Sequence, residues 1–98
     1  MHVVADLCVI PMLEEQSLSP YIAECQKILR EAGLSHQLHA YGTNVEGDWD
    51  QVMAAVKRCH ETVHSKGVAR IATNLKLSTR TDKAQTIETK VKHVEDLL

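Results

Sequence analysis

Phenylalanine is absent from this 98-residue chain, and two tyrosines and one tryptophan are its only aromatic residues. Proteins that bind single-stranded nucleic acid stack the bases on several aromatic side chains, and this chain has too few of them. Eleven basic residues against thirteen acidic ones give a formal net charge of -2. Because these charges are interspersed, they form neither a basic stripe for nucleic acid nor a polybasic helix for a membrane surface.

Long apolar runs and paired cysteines are also missing. No stretch approaches the roughly 20 apolar residues that cross a bilayer, and the first residues lack the basic segment and cleavage site of a signal peptide. Cys8, Cys25 and Cys59 are odd in number and widely spaced, whereas a small secreted domain would carry an even set. These absences predict a cytoplasmic protein with no nucleic-acid or membrane partner, forming one domain over residues 1–98.

Hydrophobic periodicity predicts four strands and three helices in the order β-α-β-β-α-β-α. The strands are expected at residues 3–11, 36–41, 43–47 and 69–79, with the middle pair turning near Gly42. This order is typical of the α+β ferredoxin-like split βαβ sandwich, in which two helices cover one face of a four-stranded antiparallel sheet. The last helix is an addition to that fold.

Capping residues predict where the helices begin. Ser19 is expected as the N-cap of the first helix, with Pro20 at its first position. Asp48 with Gln51, and later Asp82 with Gln85, have the spacing of capping boxes for the second and third helices. The glycines at positions 33 and 67 should end the first two helices.

The second predicted helix contains the spacing H-E-x-x-H, which in metalloproteases binds zinc through two histidines and uses the glutamate as general base. On a helical wheel Glu61 points away from the apolar stripe, and His60 and His64 lie on its flank. A catalytic zinc also needs a third protein ligand and an enclosed cavity. The sequence therefore favours ordinary surface residues here, with a zinc site as the alternative.

Alternation along the strands divides the predicted sheet into two faces. In the first strand Val3, Ala5, Leu7 and Val9 form a uniformly apolar row, which should lie under the helices. The opposite, open face mixes apolar residues with polar groups of both signs: Val4, Asp6, Cys8, Ile10, His39, Tyr41, Asn44, Glu46, Ala72, Asn74 and Lys76.

The composition of this open face has two interpretations, a solvated surface or an interface. An antiparallel sheet commonly turns one face to water, and Asp6 would then pair with Lys76 or Arg70 on a neighbouring strand. Cys8 and Ile10 fit poorly with such exposure, because water does not favour them. Apolar residues that enclose a few polar groups are typical of an interface with a small pocket. We therefore predict an interface on this face, with or without a bound ligand.

Three segments of the chain resemble the thiamine-binding protein family, small ferredoxin-like proteins related to the YkoF hydroxymethylpyrimidine- and thiamine-binding proteins. These segments are VADLCVIP in the first strand, YGTNVEGDWDQVM from the hairpin into the second helix, and HETVHSKGVARIATNLKLSTRTDK through the last strand. The resemblance covers nearly the whole chain. Its most specific pieces are GTxxEG at residues 42–47 and TRTDK at residues 79–83.

The resemblance implies dimers formed through the open sheet faces, often paired into tetramers, with thiamine or its pyrimidine precursor at the subunit interface. By position, Thr43 and Glu46 match the hairpin motif, and Asp6 matches the polar residue of the first strand. Strand geometry adds four further ligand-binding candidates: His39, Asn44, Asn74 and Lys76. The loop at residues 12–19 departs from the family by carrying two glutamates, which predicts an altered ligand if that loop borders the pocket.

No nucleophile with an adjacent base, glycine-rich phosphate loop or carboxylate dyad emerges from the sequence. The leading hypothesis is a non-catalytic homodimer or homotetramer that needs no cofactor and binds thiamine or hydroxymethylpyrimidine as its ligand. A carboxylate, Asp6 or Glu46, would hold the aminopyrimidine or offset the thiazolium charge. The alternatives are an oligomer without a ligand, and a zinc-dependent hydrolase that uses His60, Glu61 and His64.

Overall fold

The chain folds as a sheet with two helices on one face and a third helix at the C-terminus. The computed structural model of the protein describes residues 1–14 and 17–98. Within them the elements are β1 (His2–Pro11), α1 (Ser19–Glu31), β2 (Ser35–His39), β3 (Gly42–Asp48), α2 (Trp49–Ser65), β4 (Ile71–Ser78) and α3 (Ile87–Glu95). All strand pairs are antiparallel, in the order β2-β3-β1-β4. The predicted ferredoxin-like α+β fold is confirmed.

The hydrophobic core lies between the sheet and the helices α1 and α2. Leu29 of α1, Val45 of β3 and Val63 of α2 are each no more than 1% exposed. The apolar row predicted on the first strand is the central part of the sheet wall, since its members are all 5% exposed or less: Val3, Ala5, Leu7 and Val9. No helix in the described part of the chain is long and apolar enough to span a membrane.

Of the predicted caps for the first two helices, Asp48 is confirmed and Ser19 is wrong. The Asp48 carboxylate accepts from the Asp50 backbone N–H at 3.2 Å and begins α2. The cap position of α1 is Leu18, one residue before the expected serine, and it makes no side-chain cap bond. Its carbonyl accepts from the N–H groups of residues 21 and 22, because Pro20 already holds a helical φ and extends the helix backwards.

The third helix begins later than predicted. Asp82 does not cap it, because its carboxylate accepts a hydrogen bond at 2.8 Å from Arg80 instead. That contact lowers the pKa of Asp82 to about 2. Thr86 is the cap and forms a reciprocal capping box with Thr89. The helix is attached to the open face of the sheet, where the Ile87 N–H donates to the Glu46 carboxylate at 3.1 Å.

The hairpin turns at residues 40–41, one position earlier than predicted, so that Gly42 is the first residue of β3. A Cβ atom at this glycine would lie 2.7 Å from the backbone oxygen of Leu7 in β1. A backbone atom within a paired strand cannot move aside without breaking the ladder. Gly42 is therefore the residue that lets the end of the hairpin come this close to the central strand.

Gly42→Ala is expected to lower the free energy of unfolding by about 1–3 kcal/mol, which is the usual cost of overpacking. Urea denaturation followed by circular dichroism measures this change. Ser35→Ala, at an exposed position of β2, is the matched control and should stay within about 0.5 kcal/mol of the wild type. A Gly42→Ala protein as stable as the control would contradict the close approach.

Candidate functional site

An aspartate–histidine pair lies at the centre of the open face. The His39 Nε2 atom lies 2.7 Å from the Asp6 Oδ1 atom. The other ring nitrogen, Nδ1, accepts from the backbone N–H of Tyr41 at 3.2 Å. Because Nδ1 accepts, the neutral ring must carry its proton on Nε2, which donates it to Asp6. Both nitrogens of the imidazole are thus engaged within the protein.

Three more predicted site residues share this face with Asp6. Asn44 on β3 and Lys76 on β4 are its direct cross-strand neighbours, and Asn74 is opposite Cys8. The sequence predicts Lys76 or Arg70 as the ion-pair partner of Asp6 if this face is solvated. Among the described residues that partner is His39, which reaches it from the turn end of the edge strand β2. The open face therefore does gather polar groups of both signs.

Glu46 has a different setting from the other polar residues of the open face. Its side chain is only 12% exposed and lies 3.1 Å from His2 Nε2. The same carboxylate oxygen accepts from the Ile87 N–H at 3.1 Å. These two contacts place Glu46 at the attachment of α3, so its carboxylate already has protein donors.

Thr43 points to the helical side of the sheet, away from the open face. It pairs with Leu7 in the register and is 4% exposed. Its hydroxyl accepts at 2.8 Å from the side-chain amide of Gln26 in α1. The structure therefore separates Thr43 from Asp6, His39, Asn44, Asn74 and Lys76, with which the sequence analysis had grouped it.

Beside Thr43 a cleft of about 760 Å³ opens between α1, the end of the hairpin and β1. Its floor is β1 from Leu7 to Ile10, and its far wall is the hairpin from Leu38 to Thr43. The near wall is one stripe of α1: Leu18, Ser19, Ile22, Ala23, Gln26, Lys27 and Arg30. A mostly apolar cleft with a few polar groups is the usual form of a small-molecule site.

Two backbone hydrogen bonds establish which way the amides of β1 point. The Met12 N–H donates to the Arg70 carbonyl at 2.9 Å, so even-numbered residues of β1 turn their amides toward β4. The Trp49 N–H donates to the Met1 carbonyl at 2.8 Å, so odd-numbered residues turn theirs toward β3. In an antiparallel ladder the N–H and C=O of one residue lie on the same side.

Val9 is an odd-numbered residue of β1 that lines the cleft. Pairing between β1 and β3 ends at Leu7 opposite Thr43, because the hairpin has already turned away. Val9 is the next odd-numbered residue, so its N–H and C=O point into the space that β3 has left. Within residues 1–14 and 17–98 neither group has a backbone partner on that side. Pro11, the next odd position, has no N–H to offer.

Val9 belongs to the hydrophobic core through its side chain, while the residue also lines the cleft. The cleft therefore presents one adjacent donor and acceptor, at a fixed spacing, on a floor that is otherwise apolar. This pair is a ready recognition element for a planar ligand that carries an acceptor and a donor on neighbouring atoms.

The cysteine at the back of the cleft belongs to the core. Cys25 lines the cleft, is 3% exposed and lies against Cys59 of α2. Their hydrogen bond lowers the pKa of Cys25. The same bond, together with burial, raises the pKa of Cys59 well above its usual range. Cys59 is therefore a neutral thiol at physiological pH, as a core residue should be.

The H-E-x-x-H histidines make separate contacts with the protein. His60 Nε2 lies 2.6 Å from the Thr73 hydroxyl on β4, and His64 Nδ1 lies 2.7 Å from the Val68 carbonyl. The described residues contain no group of three or more histidine, cysteine, aspartate or glutamate side chains that could hold a metal ion. His60 thus helps to attach the end of α2 to β4, and His64 helps to attach it to the segment between them.

The cleft is the feature that sequence reasoning missed. Leu38 was expected to face the helices, and it does share that face with Thr43, yet it is 53% exposed. The large exposure arises because α1 does not close over the hairpin there. The available signal was the length of the strands: β1 continues to Pro11 while the hairpin turns at residues 40–41. Residues 15 and 16 of the loop that was predicted to alter the ligand lie outside the described residues.

Comparison with known sequences identifies the family. Residues 5–95 match the family described as thiamine-binding protein. A UPF0045 protein of Synechocystis is 56% identical over 98 residues, which covers 100% of this chain and 81% of the relative. The UPF0045 protein ECM15 of Eremothecium gossypii is 40% identical over 99 residues, covering 100% of this chain and 94% of the relative.

Solved structures agree with the fold. The Methanocaldococcus jannaschii protein MJ1052 superposes with a TM-score of 0.89 at 35% identity, covering 97% of each chain. A Thermotoga maritima protein, named as a candidate for thiamine biosynthesis or salvage, superposes with a TM-score of 0.82 and covers 96% of this chain and 99% of its own. At 22% identity this second likeness concerns the fold alone. The chain belongs to the thiamine-binding protein family.

Proposed function

We propose that this protein is a non-catalytic binding protein for thiamine or hydroxymethylpyrimidine, and that the aminopyrimidine ring lies in the cleft against Val9. The observation that carries the proposal is the free N–H and C=O of Val9 on the apolar floor. An aminopyrimidine carries a ring nitrogen that accepts and a neighbouring amino group that donates. Such an edge can bond to both backbone groups at once, as a further strand would.

The walls of the cleft suit the flat faces of the ring. Leu18 and Ile22 of α1 lie on one side, and Leu38 of β2 lies on the other. Gln26 and Thr43, already bonded to each other at 2.8 Å, add one fixed polar group at the back. Thr43 is the hairpin-motif residue of the family, so in this proposal it contributes to binding from the helical side of the sheet.

The second part of the proposal is self-association of the chain through its open face. Half-buried Val4, Cys8 and Ile10 lie there among the polar side chains, and two copies meeting through this face would remove them from water. Polar residues would set the register of that contact: Asp6, His39, Asn44, Glu46, Asn74 and Lys76. The assembly would be a homodimer of this kind, or a homotetramer built from two of them.

A binding role without catalysis fits the state of His39. The imidazole is the obvious candidate for a general base, since it is bonded to a carboxylate as in many catalytic sites. Its Nδ1 already accepts from the Tyr41 N–H, and its Nε2–H donates a hydrogen bond to Asp6. Neither nitrogen is left to take a proton from a substrate, so the pair serves to hold the turn against the open face.

Titration calorimetry with thiamine and with hydroxymethylpyrimidine tests the proposal. We expect at least one of them to bind with one site per chain and to raise the melting temperature. At 100 times its dissociation constant a ligand adds about 2.7 kcal/mol to the free energy of unfolding. Absence of heat and of a thermal shift at millimolar concentrations of both compounds would refute the assignment, and an unrelated heteroaromatic such as indole serves as the control ligand.

A further inference from the structure

The charge of the cleft points to a more specific ligand than the family name does. Two cationic side chains line it, those of Lys27 and Arg30, and no carboxylate is among the described residues that form its walls. From the sequence, Asp6 or Glu46 is expected to offset the thiazolium charge of thiamine. Glu46 receives its hydrogen bonds at the attachment of α3, so it does not provide negative charge in the cleft.

The other nearby carboxylates are also engaged by cations or donors of the protein. Glu24 lies 3.3 Å from Lys27, and Asp6 reaches the cleft only through its 2.7 Å contact with His39. Lys27 has its ammonium group mostly in water, with a side chain that is 62% exposed. Arg30 is exposed one turn further along the helix. Because Glu24 and Lys27 balance each other, Arg30 leaves the mouth of the cleft with a net positive charge.

The two ends of the cleft differ in character. The lining stripe runs along α1 from its N-cap Leu18 to Arg30, a distance of about 18 Å at 1.5 Å per residue. The Val9 amide and the apolar walls occupy the end near the start of the helix. The two cations of α1 occupy the other end, which faces water. A ligand that spans the cleft would place a flat, neutral ring at one end and an anionic group at the other.

We propose that the preferred ligand is a phosphate ester, either of hydroxymethylpyrimidine or of thiamine, whose phosphate is bound by Lys27 and Arg30. This inference rests on the proposed function. Free thiamine carries a positive thiazolium ring, which two cations at the cleft mouth would repel. A phosphate reverses the sign of that interaction, and arginine in particular bonds phosphate oxygens through two parallel N–H groups.

Calorimetry with four compounds tests the inference: hydroxymethylpyrimidine, its phosphate, thiamine and thiamine monophosphate. We expect at least one phosphate to bind tenfold or more tightly than its own unphosphorylated form. That advantage should shrink when the salt concentration rises from 20 mM to 500 mM, because exposed charges are screened. Comparing the affinities of the two phosphate esters identifies which of them is the preferred ligand.

The variant Lys27→Gln with Arg30→Gln should remove the phosphate advantage, and it should strengthen the binding of free thiamine, because the repulsion of the thiazolium ring is lost. Lys57→Gln with Lys66→Gln removes the same two charges from exposed positions of α2 and its C-cap, outside the cleft, and should keep the advantage. Equal affinities for the ester and the alcohol, or an advantage that survives in the first variant, would overturn this inference alone. Failure of all four compounds to bind would overturn the proposed function together with it.

Discussion

Ala23→Trp is expected to reduce the affinity for the aminopyrimidine ligand by 100-fold or more while the protein remains folded. Ala23 lines the near wall of the cleft on α1 and its small side chain is exposed. An indole at this position would occupy the space that lies over the Val9 amide. A ligand would then have to displace the indole and forfeit its contact with the wall.

The fold should tolerate this change because the new side chain extends into the cleft and not into the core. Tryptophan in place of alanine costs at most about 0.7 kcal/mol in helix propensity, and burying part of the indole in the apolar cleft offsets some of that cost. Ala54→Trp is the matched control: Ala54 is an exposed position of α2 outside the cleft lining. It should bind the ligand as the wild type does.

Calorimetry on both tryptophan variants separates the two places where a ligand could lie. Loss of binding in Ala23→Trp alone locates the ligand in the cleft. Equal binding in both variants would place it elsewhere and would return the open face, with Asp6 and Asn74, to consideration as the ligand site. Circular dichroism and the melting temperature of each variant verify that a lost signal does not reflect unfolding.

The fold could be predicted because its determinants are local. The alternation of apolar residues in β1 predicts that Val3, Leu7 and Val9 face the helices, where all three are buried. Asp48 predicts the start of α2, because its carboxylate caps the helix. The predicted N-caps of α1 and α3 were wrong because nearby groups compete with them. Pro20 extended one helix backwards, and Arg80 bound the aspartate that would otherwise have begun the other.

The candidate site could be predicted only in part because it depends on where strands end relative to one another. The sequence grouped Asp6, His39 and Asn44 correctly on one face, since alternation decides that. The predicted strand lengths indicate that β1 is longer than the hairpin strands, but the register that ends the pairing of β3 at Leu7 is a property of the assembled sheet. The free amide of Val9 follows from that register, and no residue type marks it.

Self-association through the open face predicts that Val4→Lys converts the protein to a monomer. Val4 is half-buried on that face, between Glu46 of β3 and Ser78 of β4, where it lines a second cleft with the segment that leads into α3. In the isolated chain a lysine here can extend its ammonium into water and remain beside the Glu46 carboxylate, so the fold should persist. In a closed interface the same charge would be buried without a partner, which costs several kcal/mol.

Sedimentation velocity measures the outcome directly, because the chain mass is 10.9 kDa and a dimer sediments well ahead of a monomer. Ala54→Lys adds the same charge on the outer side of α2 and should leave the assembly unchanged. If the wild type and Val4→Lys sediment alike, whether as monomers or as oligomers, the open face is not the contact between copies. If Val4→Lys is monomeric and still binds ligand in calorimetry, binding does not require assembly, since the Val9 amide and the cleft walls come from a single chain.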